Sequence, residues 1–138
     1  MENFNGKIAV ITGGGTGMGR ELTYQLAAEG CNISICDVIE ENMEETFQQA
    51  SKKYPQVKIT KHLCDVSSED DVLRFRDEVL EQQETEHINL LFNNAGIGGG
   101  ASFVLSGIEE WERTFKICWD GVYSVSYTHL TLPTTTPV

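Results

Sequence analysis

Apolar residues recur along the chain with two different periods, which alternate as far as residue 121 or so. Short runs that are continuously apolar or alternate with polar residues predict strands. Apolar residues at every third or fourth position predict amphipathic helices. The sequence therefore predicts strands at residues 7–12, 32–37, 57–63 and 88–92, and helices at residues 17–29, 39–54, 67–79 and 108–121.

This order of elements predicts the fold class. Strands that are joined by helices of this length imply right-handed crossovers and a parallel sheet covered on both faces. We therefore expect an α/β fold with a doubly wound, Rossmann-like parallel sheet, truncated after about four strands. Gly30 and Pro55 are expected to end the first two helices, and Ser67 with Asp70 to cap the third.

The C-terminal stretch departs from this pattern. No Asp, Glu, Lys or Arg follows Asp120, and residues 126–137 are rich in threonine and end on prolines. Residues 125–135 resemble a translated sequencing adapter. We therefore expect residues 1–124 to form the domain and residues 125–138 to be a non-native or disordered tail. The alternative is a native C-terminal strand or loop, since this stretch is β-prone.

Length and charge narrow the classes of function. With 138 residues, 40% of them hydrophobic, the chain is expected to form one globular domain. The formal net charge of -11 disfavours nucleic acid and anionic membrane surfaces as partners. No run approaches the ~18 apolar residues of a membrane helix, and the first residues do not form a signal peptide. We expect a cytoplasmic protein.

The cysteines and histidines do not have the spacing of a metal site. The four cysteines show neither CxxC spacing nor a histidine in ligand register, so we expect no metal and reduced thiols that serve as small apolar side chains. The histidines are isolated and are expected to lie at the surface or in strands rather than to act as bases. These residues are Cys31, Cys36, Cys64, Cys118, His62, His87 and His129.

The first predicted strand and helix are joined by the sequence TGGGTGMG at residues 12–19. Glycines allow a tight turn and close approach of a ligand to the backbone. The helix that follows presents unpaired N–H groups and the positive end of its dipole, which suits a pyrophosphate. The turn alone is equally compatible with an ordinary strand-to-helix connection.

Asp37 is a second reason to expect a dinucleotide. It ends the second predicted strand, 24 positions after Gly13, where a carboxylate can accept hydrogen bonds from both hydroxyls of an adenosine ribose. A carboxylate would repel a 2′-phosphate, and the nearest cation, Arg20, follows the turn. We therefore expect NAD to be preferred over NADP. The alternative is that Asp37 only caps the next helix.

Four motifs, in this order, resemble the short-chain dehydrogenases/reductases. They are the TGxxxGxG turn at residues 12–19, the acidic Asp37, Asp65-Val66 after the third strand and NNAG at residues 93–96. The match spans residues 6 to about 124. It implies hydride transfer between a nicotinamide cofactor and an alcohol or carbonyl substrate, by a parent protein that is a homodimer or homotetramer. It also implies that this chain is the N-terminal half.

The resemblance also implies where the cofactor is held. The glycine turn would line the pyrophosphate, with Thr12 tying it to the neighbouring strand, and Asp37 would bind the ribose. Asp65-Val66 would border the adenine, and the NNAG motif would run beside the adenosine side and the nicotinamide ribose. The expected cofactor-binding residues are Gly13, Thr16, Gly17, Met18, Gly19, Asp37, Val38, Asp65, Val66, Asn94, Ala95 and Gly96.

The catalytic residues of this family are expected to be missing. The family uses a Tyr as general acid/base, a Lys four positions later that lowers its pKa, a Ser and a supporting Asn. The chain is interpreted as lacking the pair, because Tyr123 is followed by Tyr127 at the fourth position and no lysine follows Lys116. Cys118 takes the place of the supporting Asn. We therefore expect the chain to be inactive.

Two other classes of protein remain open at this point. One is a non-catalytic dinucleotide-binding or sensor protein on the same fold. The other is a fragment with no stable function, since losing half a sheet exposes the edge of its last strand. Ser102 and Ser106 are expected to be loop residues, and Trp111 and Phe115 to be part of the core.

Overall fold

The structure, a computed structural model, describes residues 2–99, 102 and 104–130. Its strands are β1 (Ile8–Thr12), β2 (Asn32–Asp37), β3 (Ile59–Leu63) and β4 (Leu90–Phe92). They form one parallel sheet in the order β3-β2-β1-β4. From β1 the chain adds β2 and then β3 on one side of the sheet, and it then crosses over to add β4 on the other side of β1. This topology confirms the predicted doubly wound α/β fold.

Within the residues that the structure describes, five α-helices connect and follow the strands. They are α1 (Gly17–Ala28), α2 (Glu40–Lys53), α3 (Glu69–Gln82), α4 (Ile108–Phe115) and α5 (Gly121–Leu130). A π-helical segment, Lys116–Asp120, joins α4 to α5. The last two helices and the π-helical segment thus form one continuous helical stretch from residue 108 to residue 130.

The cap predicted for the third helix is wrong by one residue. Ser68 is the N-cap, and its hydroxyl accepts a hydrogen bond from the Asp71 amide at 3.3 Å. The hydroxyl of Ser67 instead donates to Asp65 Oδ1 at 2.6 Å. The preceding loop therefore uses Ser67, and the helix begins one position later than the sequence pattern indicates.

Each face of the sheet has its own buried cluster. On one face, α1 and α2 cover the side chains of Ile11, Ile33 and Ile35. On the other face, α3 and α5 cover Val10 and the thiol-bearing Cys36. Alternate residues of β1 and β2 point to opposite faces, as the period of a strand requires. The two clusters together hold all strands in place and leave their carboxyl ends at one edge.

The β-prone character expected of the C-terminal stretch is not what the structure shows. Residues 125–130 are helical, and Val125, Thr128 and His129 are buried against the α3 side of the sheet. Their spacing of three and four residues suits a helix that covers an apolar surface. That residues 125–138 are a non-native tail stays a prediction, and residues 131–138 lie outside the described residues.

The expectation that Trp111 and Phe115 belong to the core is wrong. They are 46% and 58% exposed. Helical spacing showed correctly that they share a face, but it could not show that this face lies on the surface. They begin a set that we call the aromatic stripe, which takes every fourth position: Trp111, Phe115, Trp119, Tyr123 and Tyr127. Over the part of the chain that the structure describes, no helix has the length and apolarity to span a membrane.

Candidate functional site

A cleft of about 790 Å³ opens at the carboxyl edge of the sheet. The loops that follow all four strands meet there, because parallel strands end at the same edge. The helical stretch from residue 108 forms the facing wall. Eleven of the twelve predicted cofactor-binding residues line this cleft: Gly13, Thr16, Gly17, Met18, Asp37, Val38, Asp65, Val66, Asn94, Ala95 and Gly96.

Thr12 joins the glycine turn to the NNAG loop. Its hydroxyl accepts hydrogen bonds from the backbone amides of Asn94 and Ala95, at 3.1 and 3.0 Å. The side-chain amide of Asn94 donates in the opposite direction, to the carbonyls of Thr12 and Gly13 at 3.2 and 3.1 Å. The loops after β1 and β4 are therefore held together as one rigid wall of the cleft.

Gly19 is the predicted residue that does not line the cleft. It is buried, and a Cβ there would collide with the carbonyl oxygen of Gly13 and approach Asn94 Nδ2 to 2.6 Å. Gly17 differs, since its φ is +55° and a Cβ would meet no atom within 4 Å. Gly19 thus allows α1 to pack against the turn, whereas Gly17 leaves open space above it.

Asp37 is fixed by three backbone amides. Oδ2 accepts from the Gly15 amide at 2.9 Å, so the carboxylate reaches the glycine turn. Oδ1 accepts from the amides of Val38 and Ile39 at 2.8 and 3.1 Å. The carboxylate therefore lines the cleft and binds two amides of the loop before α2. The alternative that Asp37 only caps the next helix is wrong, because both of these amides precede the first residue of α2 and the N-cap residue is Ile39.

Arg20 is directed away from the turn's cleft side and onto α2. Its guanidinium donates to the carbonyls of Gly15 and Asn42, at 2.5 and 3.1 Å, and to Thr46 Oγ1 at 2.9 Å. It also forms an ion pair with Glu45 at 3.1 Å. The cation nearest to the glycine turn is therefore already bound to a carboxylate and to protein oxygens.

The loop after β3 is ordered by its own polar side chains. Asp65 Oδ1 accepts from the amide and the hydroxyl of Ser67, at 2.9 and 2.6 Å. The Asp65 amide donates to Asp71 Oδ2 at 3.0 Å, which ties the loop to α3. Val66 is buried at the edge of the α3 cluster. The loop thus presents one carboxylate and one apolar side chain to the cleft.

Sequence reasoning missed the wall that faces these loops. The pattern placed a helix near residue 108, but the period of a helix does not tell which of its faces lies over the sheet edge. Two cations belong to this wall, Arg113 and Lys116, with two carboxylates beside them. The lining residues that were not predicted are Cys36, Ile39, Cys64, Ser67, Ile97, Glu109, Glu112, Arg113, Lys116 and Ile117.

The Tyr-x-x-x-Lys spacing does occur once, at Tyr54 and Lys58, so the interpretation that the chain lacks it is wrong as a statement about spacing. These residues lie between the end of α2 and the start of β3, at the amino edge of the sheet. Lys58 Nζ is bound to Glu84 Oε2 at 2.9 Å and to the carbonyl of Gln82 at 3.2 Å. The pair is therefore on the opposite edge from the cleft.

Cys118 lies in the π-helical segment beside the NNAG loop. Its thiol is exposed and contacts the carbonyl oxygen of Ile97 at 3.5 Å. This exposure differs from the expectation of a small apolar core residue, which the other three cysteines follow. A thiol is a weak donor and acceptor, so it does not provide the paired donor and acceptor of an amide.

The remaining candidates take structural positions. His62 is buried on β3 and contacts Glu78 Oε2 at 2.8 Å, and burial lowers the pKa of His62 although Glu78 opposes that shift. His87 is exposed. Ser102 lies in the loop before α4, where its hydroxyl accepts from backbone amides. Among the described residues, no group of three or more His, Cys, Asp or Glu side chains is arranged to hold a metal.

Comparison with known proteins shows the family to which most of the chain is similar. The family model described as short chain dehydrogenase matches residues 7–134. Human epidermal retinol dehydrogenase 2 is 34% identical over 116 residues, which are 84% of this chain and 37% of that protein. The chain thus spans well under half of this curated relative.

Solved structures show the same fold. Levodione reductase superposes with a TM-score of 0.87 at 30% identity, covering 94% of this chain and 50% of that one. A short-chain dehydrogenase/reductase from Burkholderia phymatum, solved with NAD, gives 0.84 at 31% identity, covering 93% and 44%. An actinorhodin polyketide ketoreductase solved with NADPH gives 0.83 at 26% identity, covering 91% and 46%. Similar structures therefore include both cofactors.

Proposed function

The chain belongs to the short-chain dehydrogenase family, and on that premise we propose that it is the dinucleotide-binding half of an NAD-preferring oxidoreductase. The observation that carries the proposal is the convergence of four loops, one after each strand, on a single cleft. A dinucleotide is long enough to contact all four loops at once. If the glycine turn only connected β1 to α1, the other three loops would not have to meet it at one cleft.

The cleft fits such a ligand in shape and in polar groups. The space above Gly17 is free of protein atoms, so a pyrophosphate can approach the amides at the start of α1. Asp37 would accept hydrogen bonds from the adenosine ribose. Asp65 and Val66 would border the adenine, and the loop from Asn94 to Gly96 would extend toward the nicotinamide ribose.

The charges near the glycine turn favour NAD. The Asp37 carboxylate lies within hydrogen-bond distance of that turn, where a 2′-phosphate would meet its negative charge. Arg20, the nearest cation, forms an ion pair with Glu45, and its guanidinium also donates hydrogen bonds to two backbone carbonyls. The cations of the cleft lining, Arg113 and Lys116, belong to the opposite wall. A 2′-phosphate would therefore lack a cation on the turn side.

The parent protein would use the bound nicotinamide for hydride transfer with an alcohol or carbonyl substrate. Residues of this chain would bind and orient the cofactor, whereas the acid/base Tyr and its Lys would come from sequence that follows in a longer protein. We expect this chain alone to be inactive and the parent to be a homodimer or homotetramer. Reading the genomic DNA beyond codon 124 tests whether the Tyr and Lys follow in a longer protein, because an open frame with a Tyr-x-x-x-Lys is expected there.

The cofactor assignment is tested by Asp37→Asn. Loss of the charged acceptor should weaken NADH binding about 10- to 100-fold, as expected for a hydrogen bond to a charged group, and reduce discrimination against NADPH. The measurement is titration of cofactor fluorescence with both dinucleotides. The matched control is Asp77→Asn, because Asp77 is an exposed carboxylate on α3 that pairs with Arg76. An unchanged NADH to NADPH ratio in Asp37→Asn would remove the basis for NAD preference.

A non-catalytic dinucleotide-binding protein is the second candidate. Cys118 favours it, because a thiol stands where the family has a supporting amide. The two candidates differ in one measurement, the turnover of a longer gene product with NAD and a panel of alcohols. Turnover supports the enzyme, whereas tight NADH binding without turnover in that longer product supports the sensor.

A further inference from the structure

We propose that Cys36 and Cys64 form a chelating dithiol in the floor of the cleft, able to bind a soft, thiophilic centre such as trivalent arsenic. Both side chains line the cleft, yet they are only 0% and 2% exposed. They belong to the same buried cluster, on the α3 side of the sheet. A thiophilic centre of this kind is a ligand class that the proposed function does not include.

The sheet register places the two thiols on neighbouring strands. Cys36 on β2 pairs with His62 on β3, and Cys64 follows His62 by two residues, so all three side chains point to one face. The Cys64 amide also donates to the carbonyl of Asp37 at 3.2 Å, which continues the ladder beyond the end of β3. The two cysteines are therefore diagonal neighbours across one strand pair.

Diagonal positions suit a bridging atom better than a disulfide. Adjacent parallel strands lie about 4.8 Å apart and rise about 3.3 Å per residue, so Cα atoms offset by two positions lie about 8 Å apart, whereas disulfides span about 4.4–6.8 Å. A third atom between the sulfurs removes that conflict. The neighbouring Cys64 thiol and burial raise the pKa of Cys36 well above its usual range, although the Gly13 amide opposes this. Cys36 is thus a neutral thiol at neutral pH.

Two thiols react with a trivalent arsenic compound without a change in oxidation state. Phenylarsonous acid, the hydrated form of phenylarsine oxide, has two As–OH bonds. Each As–OH bond breaks as one As–S bond forms, and each thiol proton leaves with the hydroxyl as water. Two thiols and one phenylarsonous acid therefore give one dithioarsenite and two waters, with no oxidant or reductant needed.

The other two cysteines are internal controls. Cys31 lies in the cluster on the α1 side, where its thiol contacts the carbonyls of Lys7 and Asn32 at 3.4 Å each. Burial raises the pKa of Cys31 to about 11. Cys118 is exposed in the π-helical segment. Each can offer a single sulfur, which excess monothiol should displace from arsenic.

The test treats the folded full chain with phenylarsine oxide and excess monothiol, followed by intact-mass measurement. One adduct per chain is expected, with removal by a dithiol such as dimercaptopropanol. Cys36→Ser and Cys64→Ser should each abolish it, and Cys31→Ser and Cys118→Ser should retain it. No stable adduct on the wild-type chain, or an adduct retained in Cys36→Ser, would overturn the proposal.

A mapping experiment covers the case in which a serine variant fails to fold. The wild-type adduct is denatured, alkylated and digested. Alkylation at Cys31 and Cys118, with Cys36 and Cys64 protected, supports the dithiol. Any other pattern of protection contradicts it.

A second arm rests on the proposed function, because Asp37 and Asp65 directly follow the two cysteines in the chain. NADH at ten times its Kd should slow adduct formation about 11-fold, since only free chain reacts. Unchanged kinetics with NADH bound would overturn the placement of the dithiol beneath the cofactor. Failure of the untreated chain to bind NADH would contradict the proposed function instead, and the mapping would still decide the dithiol.

Discussion

The two faces of the sheet differ in the kinds of side chain that they bury. On the α1 and α2 face the hydrophobic cluster consists of apolar side chains and one thiol, and the buried hydroxyls of Thr23 and Thr46 bond only to nearby backbone carbonyls and to Arg20. On the α3 and α5 face, polar side chains are buried beside the apolar ones. They form a hydrogen-bonded chain with donor–acceptor distances of 2.6–3.0 Å, which runs through Gln83, Ser34, Thr60, His62 and Glu78.

The two faces should therefore respond to different changes in sequence and solution conditions. Burial of apolar surface responds to side-chain volume and hardly to pH. Buried polar groups depend on their hydrogen bonds and on protonation, because an unpaired or charged group in a low-dielectric environment is costly. The α1 and α2 face should therefore be sensitive to truncation, and the α3 and α5 face to acid.

The largest expected effect is truncation on the α1 and α2 face. Ile33 is fully buried on β2, so Ile33→Ala should lower the free energy of unfolding by about 2–5 kcal/mol. Urea denaturation followed by circular dichroism measures this. Ile108→Ala, at a 65% exposed position, is the matched control and should change little. A loss below about 1 kcal/mol for Ile33→Ala would contradict the description of this face.

Acid should act through His129 on the other face. Burial lowers the pKa of His129 to about 4, with Arg76 and His62 adding to the shift and the Val125 carbonyl opposing it. The folded state binds fewer protons than the unfolded state below about pH 6.5, so stability is lost as pH falls. The loss should be about 1.4 kcal/mol per pH unit between about pH 6 and pH 4.

Histidine variants separate this effect from protonation of carboxylates. His129→Gln should remove that part of the acid dependence, measured by urea denaturation at pH 7 and pH 5. His87→Gln is the matched control, because His87 is exposed. Equal acid slopes in the wild type and His129→Gln would show that His129 is not buried as described.

A smaller effect is expected where α1 meets α2 beside the cleft. Arg20→Gln removes the ion pair with Glu45 and the bonds to the carbonyls of Gly15 and Asn42. We expect a loss of about 1–2 kcal/mol in unfolding free energy and weaker NADH binding, because Gly15 also donates to Asp37. Arg76→Gln on α3 is the matched control. If Arg20→Gln binds NADH as tightly as the wild type, the prediction that Arg20 supports the cleft through Gly15 is wrong.

The smallest effect is expected in the aromatic stripe. Trp119 is 68% exposed and stacks on Phe115, with ring centroids 5.8 Å apart. Trp119→Ala should therefore change the free energy of unfolding by less than about 1 kcal/mol. A loss comparable to that of Ile33→Ala would mean that the stripe is buried in the folded protein.

The fold could be predicted from the sequence because strand and helix periods differ clearly. The predicted second strand agrees with β2 at both ends, and the four strands follow in the predicted order. The predicted fourth strand is longer than β4, since Asn89 uses its side chain to accept from the Ile8 amide at 2.9 Å. Such side-chain bonds to the backbone leave no mark on the apolar pattern.

The candidate site was predictable only where a residue follows a strand. Asp37, Asp65 and Asn94 were placed correctly at the cleft because strand ends share one edge. Arg113 and the pair Cys36 and Cys64 were missed as lining residues, since their position depends on packing between distant elements. Packing also decides that the Tyr54 and Lys58 spacing lies at the opposite edge, which the spacing alone could not reveal.

We propose that four loops at one edge of the sheet hold a single adenine dinucleotide. Isothermal titration calorimetry of the folded chain with NADH measures this binding. We predict saturable heat with one NADH per chain and competition by NAD. A chain that unfolds cooperatively, and is thus folded, but gives no saturable heat with either NADH or NADPH would contradict the account.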